Sequence, residues 1–87
     1  MKVREGFVLK KIGTQAVVVA VGSASKIFNG MIKLNDTGEL MWKKLTEGAT
    51  KEELVEAILE EYETTEDKVS SDVDRFLETL KKAGIIE

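Results

Sequence analysis

Carboxylates are the side chains through which this sequence could most readily do chemistry. Glu52, Glu56 and Glu60 recur four residues apart, a spacing that places side chains on one face of a helix. Such a stripe could hold Mg²⁺ or act as acid and base. The sequence has no histidine and no cysteine, which removes the commonest general base and any thiolate nucleophile or metal ligand. We interpret the stripe as a solvated helix face and predict no catalytic residue, metal site or cofactor.

The overall composition is that of a soluble globular domain. The chain has 87 residues, of which 43% are hydrophobic and 33% charged. No apolar run approaches about 20 residues, and the first residues lack the apolar core of a signal peptide. Glycine-rich phosphate-binding loops are also absent. We predict one domain, residues 1–87, that is cytoplasmic, has no membrane partner and acts as a non-catalytic binding module.

Three segments in the first part of the chain predict strands, and the first two are rich in β-branched and aromatic side chains. They are residues 7–12, 15–21 and 31–34. Between the first two, Gly13-Thr14 fits a two-residue hairpin loop in which glycine takes the positive φ of a type II′ turn. The second segment is apolar on both faces and is predicted to be central. A simple meander then leaves the third strand at an edge.

The connection at residues 22–30 is rich in glycine and serine but contains two large apolar residues. We expect Ile27 and Phe28 to attach this connection to the core.

Helical periodicity governs the rest of the chain. Predicted buried positions in three successive helices are Gly38, Met41, Trp42 and Leu45; Leu54, Val55, Ile58, Leu59 and Tyr62; and Val69, Val73, Phe76, Leu77 and Leu80. Asn35 or Asp36 is predicted to cap the first helix, and two capping boxes are predicted from their spacing, Asp36 with Glu39 and Thr50 with Glu53. The first helix is predicted to end at Gly48 and the third at Gly84, after which Ile85 and Ile86 return to the core.

This order of elements predicts an α+β fold. A three-stranded antiparallel sheet is followed by three helices that pack on one side of it, in the manner of a winged helix. If the third helix lies beside the edge strand, a groove forms between them. The unpaired backbone groups of that strand could then accept an extended peptide, although a short edge carrying a lysine is also a common protection against aggregation.

A winged-helix shape also suggests binding to DNA, with the third helix as the reader. Acidic residues outnumber basic ones on that helix, and residues 45–87 carry thirteen acidic against five basic side chains. Because DNA affinity comes largely from neutralising phosphates, we predict no nucleic-acid partner.

An ordered set of motifs runs through most of the chain. Its most specific part is Leu34-Asn35-Asp36-Thr37-Gly38, followed by Met41-Trp42 and Leu45. Further matching segments are Gly48-Ala49-Thr50, Glu53-Leu54-Val55, Tyr62, Val69-Ser70-Ser71-Asp72-Val73, Phe76-Leu77 and Gly84-Ile85-Ile86. Over residues 5–87 this order resembles the PqqD family, which is named for its member in pyrroloquinoline-quinone biosynthesis.

The resemblance implies a stand-alone recognition element, or peptide-modification chaperone, for ribosomally made and post-translationally modified peptides. Such proteins bind the leader part of a precursor peptide and present its core to a modifying enzyme, often a radical S-adenosylmethionine enzyme. The leader adds as a strand to the third strand and lies against the third helix. The pathway need not be that of pyrroloquinoline quinone, and a monomer or weak dimer is expected. A structural subunit that only docks to an enzyme and does not bind the peptide is the remaining alternative.

The predicted peptide-binding residues lie on two elements. The third strand would contribute Gly30, Met31, Ile32, Lys33 and Leu34, mainly through backbone groups. The third helix would contribute Val69, Asp72, Val73, Phe76 and Thr79. Core packing is the alternative for Val69, Val73 and Phe76, and simple solvation is the alternative for Asp72. Lys68 and Arg75 could pair with an acidic leader or could equally make exposed ion pairs.

Overall fold

The structure is a computed structural model that describes residues 1–86. Its strands are β1 (Phe7–Ile12), β2 (Gln15–Ala20) and β3 (Met31–Leu34), and its helices are α1 (Asp36–Glu47), α2 (Lys51–Glu61) and α3 (Glu66–Lys82). The strands form one antiparallel sheet in the order β1-β2-β3. This confirms the predicted α+β fold, with β2 in the centre and β3 at an edge.

The β1–β2 hairpin has the predicted turn. Ile12 pairs with Gln15, so the loop is Gly13-Thr14 alone. Gly13 has a φ of 64°, and no non-glycine residue described has a positive φ. A positive φ at the first loop position only is the signature of a type II′ turn, whose twist matches that of the strands.

The core lies between one face of the sheet and the three helices. Ala16 and Val18 of β2 belong to this core, together with the apolar stripes of the helices. Because successive side chains of a strand point to opposite faces, Val17 faces away from the helices. It is buried all the same, as expected for a central strand that is apolar on both faces.

The connection between β2 and β3 contains a 3₁₀ helix, Gly22–Lys26, that the sequence analysis did not predict. Ala24 of this helix is buried, and Phe28 packs against the core as expected. The prediction for Ile27 is wrong, since its side chain is 55% exposed. The 3₁₀ turn directs Ala24 inward instead, and a small residue suffices there because the chain passes close to the backbone at Gly6.

Of the two predicted caps of helix α1, the structure has Asn35. The side chain of Asn35 accepts a hydrogen bond from the Gly38 N–H at 2.8 Å, so Asn35 is the N-cap and Asp36 is already helical. The predicted Asp36–Glu39 capping box is therefore wrong. Glu39 is one residue too far along for that role, and its carboxylate binds Lys11 and Lys43 at 2.9 and 3.2 Å.

Helix α2 begins with the predicted capping box. The Glu53 N–H donates to the Thr50 hydroxyl at 3.1 Å, and the Thr50 N–H donates to the Glu53 carboxylate at 2.9 Å. The helix ends at Glu61, one residue before Tyr62. Tyr62 takes an extended backbone and is 37% exposed, so its predicted place in the buried stripe is wrong.

Helix α3 buries Val69, Val73, Leu77 and Leu80 against the other helices and the sheet. Gly84 follows with a φ of 76°, which lets the chain reverse so that Ile85 and Ile86 enter the core as predicted. Within residues 1–86, every helix is too short or too polar to cross a lipid bilayer.

Candidate functional groove

The open edge of β3 presents backbone groups whose direction follows from the sheet register. The Val21 N–H donates to the Gly6 carbonyl at 2.7 Å, so the odd-numbered residues of β2 bond to β1. The even-numbered residues then bond to β3, where Ala16 faces Leu34 and Val18 faces Ile32. By the same alternation, the N–H and C=O groups of Met31 and Lys33 point away from the sheet.

A groove runs beside this edge, between β3 and α3. Its volume is about 460 Å³, and it is lined by Gln15, Ile32, Lys33, Leu34, Asn35, Gly38, Phe76 and Thr79. Ile32 and Phe76 are half-buried, so their side chains pack on the core and still face the groove. The juxtaposition of edge strand and third helix expected from the sequence is therefore present.

The groove continues along α3 towards α1. A second depression of about 350 Å³ shares three residues with it and is lined by Asn35, Thr37, Met41, Asp72, Arg75, Phe76 and Thr79. Asp72 accepts a hydrogen bond from Arg75 at 2.6 Å, and the Thr79 hydroxyl donates to the Arg75 carbonyl at 3.0 Å. The two opposite charges in this part of the groove are thus paired with each other.

Three residues line the groove although they were not predicted to bind peptide: Gln15, Asn35 and Gly38. The Gln15 side-chain amide donates to the carbonyls of Ala16 and Leu34, both at 2.9 Å. A Cβ on Gly38 would approach Asn35 Oδ1 to 3.1 Å and Leu34 Cβ to 3.4 Å. Glycine at this position therefore allows the first turn of α1 to lie close to the end of β3. Gln15 could not be found from local pattern, because only the β2–β3 register brings it to Leu34.

The ten predicted site residues do not all reach this groove. Ile32, Lys33, Leu34, Phe76 and Thr79 line it, and Asp72 lines its continuation. Gly30 and Met31 lie at the exposed start of β3, where Met31 is 54% exposed. Val69 and Val73 are buried in the core, which favours the packing alternative for these two, and Trp42 is a core residue as expected.

Around the groove the described groups are mostly uncharged. Besides the Asp72–Arg75 pair, an ion-paired group lies beside β1, where Lys11 and Lys43 hydrogen-bond to Glu39 and hold the pKa of its carboxyl below the ordinary 4.5. The α2 capping box similarly lowers the pKa of Glu53, because the Thr50 N–H and hydroxyl stabilise the charged form. A groove without a charged cluster suits apolar side chains of an extended segment rather than a small ionic substrate.

Comparison with solved structures finds this fold in two proteins bound to peptides. One is TbiB1 in complex with the TbiA(beta) leader peptide, with a TM-score of 0.79 and 28% identity over 100% of this chain and 95% of that chain. The other is a lasso peptide synthetase B1 complexed with the leader peptide, with a TM-score of 0.75 and 20% identity over 97% of this chain and 93% of that chain. A search of curated protein sequences finds no match.

A family model also matches the chain, over residues 15–86. The match includes β2, β3 and all three helices. It therefore includes β3 and α3, the two elements that border the groove. Together with the shared fold, it confirms the resemblance noted from the motifs. The chain belongs to the family described as coenzyme PQQ synthesis protein D (PqqD).

Proposed function

We propose that this protein binds the leader segment of a ribosomally made precursor peptide, which adds as a strand to β3 and lies against α3. One observation carries the proposal. The outward N–H and C=O groups of Met31 and Lys33 stand beside a groove walled by Ile32 and Phe76. Main-chain hydrogen bonds to the edge would supply affinity, and alternate side chains in the groove would supply specificity.

The structural relatives support this proposal. Both were solved as complexes with leader peptides, and one shares 28% of its residues with this chain at nearly full coverage of both. Membership of the PqqD family agrees with a role in peptide modification.

The role that we assign is non-catalytic. By holding the leader on one side and an enzyme on the other, the protein would make the encounter of precursor and enzyme intramolecular. A radical S-adenosylmethionine enzyme is the partner that the family resemblance predicts. The similarity to a lasso peptide synthetase component widens that prediction to other modifying enzymes.

A winged-helix DNA-binding function has less support. Two of the basic side chains on α3 are engaged with carboxylates of the same helix, Arg75 with Asp72 and Lys82 with Glu78. They cannot neutralise phosphates without breaking these pairs. The excess of acidic residues in 45–87 also lowers the expected affinity for DNA, because it repels phosphates.

A two-dimensional amide NMR titration would test the proposal. The probe is the leader of a precursor peptide encoded beside this protein's gene. We expect shifts concentrated at residues 30–34 and 72–79. Shifts with a neighbouring enzyme but with no leader would indicate a purely structural subunit, and shifts with duplex DNA alone would indicate the DNA-binding alternative.

A further inference from the structure

A row of lysine, valine and lysine crosses the face of the sheet that lies away from the helices. In the sheet register, Val17 pairs with Lys10 on one side and with Lys33 on the other. Val17 is only 1% exposed although it lies on the face away from the helices. The methylene stems of lysines at these two neighbouring positions can cover it while their ammonium groups reach solvent.

The lysines of this row differ from the lysine on the opposite face. Lys11 points towards the helices and bonds to Glu39 at 2.9 Å. Within the part of the chain that the structure describes, neither Lys10 nor Lys33 forms an ion pair. Lys33 thus places an uncompensated positive charge on the edge strand, at the position paired with Val17.

A peptide added to β3 would bring one side chain next to this charge. Directly opposed residues of paired strands have their Cβ atoms about 5 Å apart, and opposite charges at such positions stabilise the pairing. The two neighbours of that peptide residue point to the other face. There they lie over the groove, beside Ile32, Leu34 and Phe76.

We infer that Lys33 selects leader segments in which an acidic residue stands between two apolar residues. This inference rests on the proposed function. The acidic side chain pairs with Lys33 and extends the row across the sheet, and the apolar side chains enter the groove. The pattern of apolar, acidic and apolar residues is the same in both chain directions, so the inference applies to a parallel or an antiparallel leader.

Edge lysines also occur simply as protection against strand pairing between proteins. If protection is its only role, no selected peptide pairs with β3 beside Lys33, and Lys33→Glu leaves peptide selection unchanged. A reversal of charge preference therefore separates recognition from protection.

The first test uses a displayed library of random decapeptides, selected separately on the wild-type protein and on the Lys33→Glu variant. We expect wild type to enrich Asp or Glu flanked by apolar residues, and the variant to enrich Lys or Arg at the same place. Lys81→Glu is the matched control, because it makes the same charge change two residues beyond Thr79, on the opposite side of α3, and its side chain is exposed.

The second test uses two synthetic peptides from that selection that differ only in Glu or Lys at the central position. We expect wild type to prefer the Glu peptide by about three- to tenfold at low salt, and Lys33→Glu to prefer the Lys peptide by a similar factor. The preference should shrink in about 1 M salt because exposed charges are then screened. Lys81→Glu should behave as wild type.

The outcomes distinguish the role of Lys33 from leader binding itself. The role of Lys33 would be contradicted if peptides bound with no charge preference at this position, or with a preference that Lys33→Glu does not alter. Either result would still be compatible with leader binding. Failure of the folded wild-type protein to enrich any peptide would contradict the proposed function itself, and this inference with it.

Discussion

The two edges of the sheet offer the same kind of backbone groups in different surroundings. On β3 the groups of Met31 and Lys33 point outward, and by the same alternation those of Phe7, Leu9 and Lys11 point outward from β1. β1 has six residues and β3 has four, so length alone would favour β1 as the acceptor of an added strand.

The difference lies in what stands beside each edge. Next to the end of β1, Lys11, Glu39 and Lys43 form an ion-paired group, and Tyr62 lies nearby. Next to β3 lies the groove between Ile32 and Phe76. An added strand gains hydrogen bonds at either edge, but the depression beside β1 is lined mostly by charged side chains and the groove beside β3 mostly by uncharged ones. We therefore expect the surroundings of an edge, rather than the length of its strand, to decide which edge recognises a peptide.

The largest expected effect comes from blocking the backbone of β3 without breaking the sheet. Ile32 is unsuitable for this, because its N–H bonds to β2, whereas the Lys33 N–H points outward. Lys33→Pro should weaken leader binding about thirtyfold or more, through the lost donor and the clash of the ring with the incoming strand. Calorimetric titration would measure this.

Two controls sharpen that result. Lys33→Ala removes the charge and keeps the N–H, so it should retain most of the affinity. Lys11→Pro makes the equivalent backbone change at the β1 edge and should not weaken binding. Loss of binding in Lys11→Pro, with the fold intact, would reverse the assignment of the two edges.

The next effect is expected at the helix wall of the groove. Phe76→Ala should reduce leader affinity about tenfold, because buried aromatic anchors dominate such interfaces. Tyr62→Ala, an aromatic truncation near the β1 edge, is the matched control and should leave affinity unchanged. Fluorescence anisotropy with a labelled leader would measure both, and equal effects would argue against the groove.

A change at the α2 cap should affect the fold and not the groove. Thr50→Ala removes the hydroxyl that accepts from the Glu53 N–H and should cost about 1 kcal/mol of unfolding free energy. Urea titration would show this loss, and leader affinity should stay within error of wild type. A parallel loss of affinity would mean that binding tracks global stability and not the β3 edge.

The smallest effect is expected at the β1 edge. The pKa of Glu39 lies below its ordinary value of 4.5, so its pairing stabilises the fold above that pH, and the contribution is lost as pH falls through the lowered pKa. Glu39→Gln should therefore flatten the decline of Tm below about pH 4.5. Thermal melts between about pH 3 and 7 would test this, and an unchanged slope would contradict it.

Most of the fold could be predicted from local pattern. The Gly13 hairpin, the Thr50 capping box and the return of Ile85 and Ile86 all depend on residues close together in sequence. The errors at Ile27, Tyr62 and Glu39 arise where an element begins, turns or ends at a different residue from the one that the spacing suggests. The 3₁₀ turn directs Ala24 inward instead of Ile27, and α2 ends before Tyr62. Because Asn35 caps α1, Glu39 lies one residue beyond the capping-box position.

The groove was predictable only in outline. Its two walls follow from the edge position of β3 and the periodicity of α3, and the family resemblance indicated the same pair. Gln15 joins it through the β2–β3 register, and Val69 and Val73 are separated from it by the rotation of α3 about its axis. Register and rotation are set by packing of the whole core, so hydrophobic spacing alone could not distinguish groove residues from core residues.

Site-resolved amide hydrogen exchange, with and without bound leader, would show directly whether the leader adds as a strand to β3. We expect the amides of Met31 and Lys33 to gain protection when the leader binds. The amides of Ile32 and Leu34 should be protected already, because they bond to β2. Amides of Leu9 and Lys11 on β1 should not change. New protection on β1, or none at Met31 and Lys33 when the leader is bound, would contradict strand addition at β3.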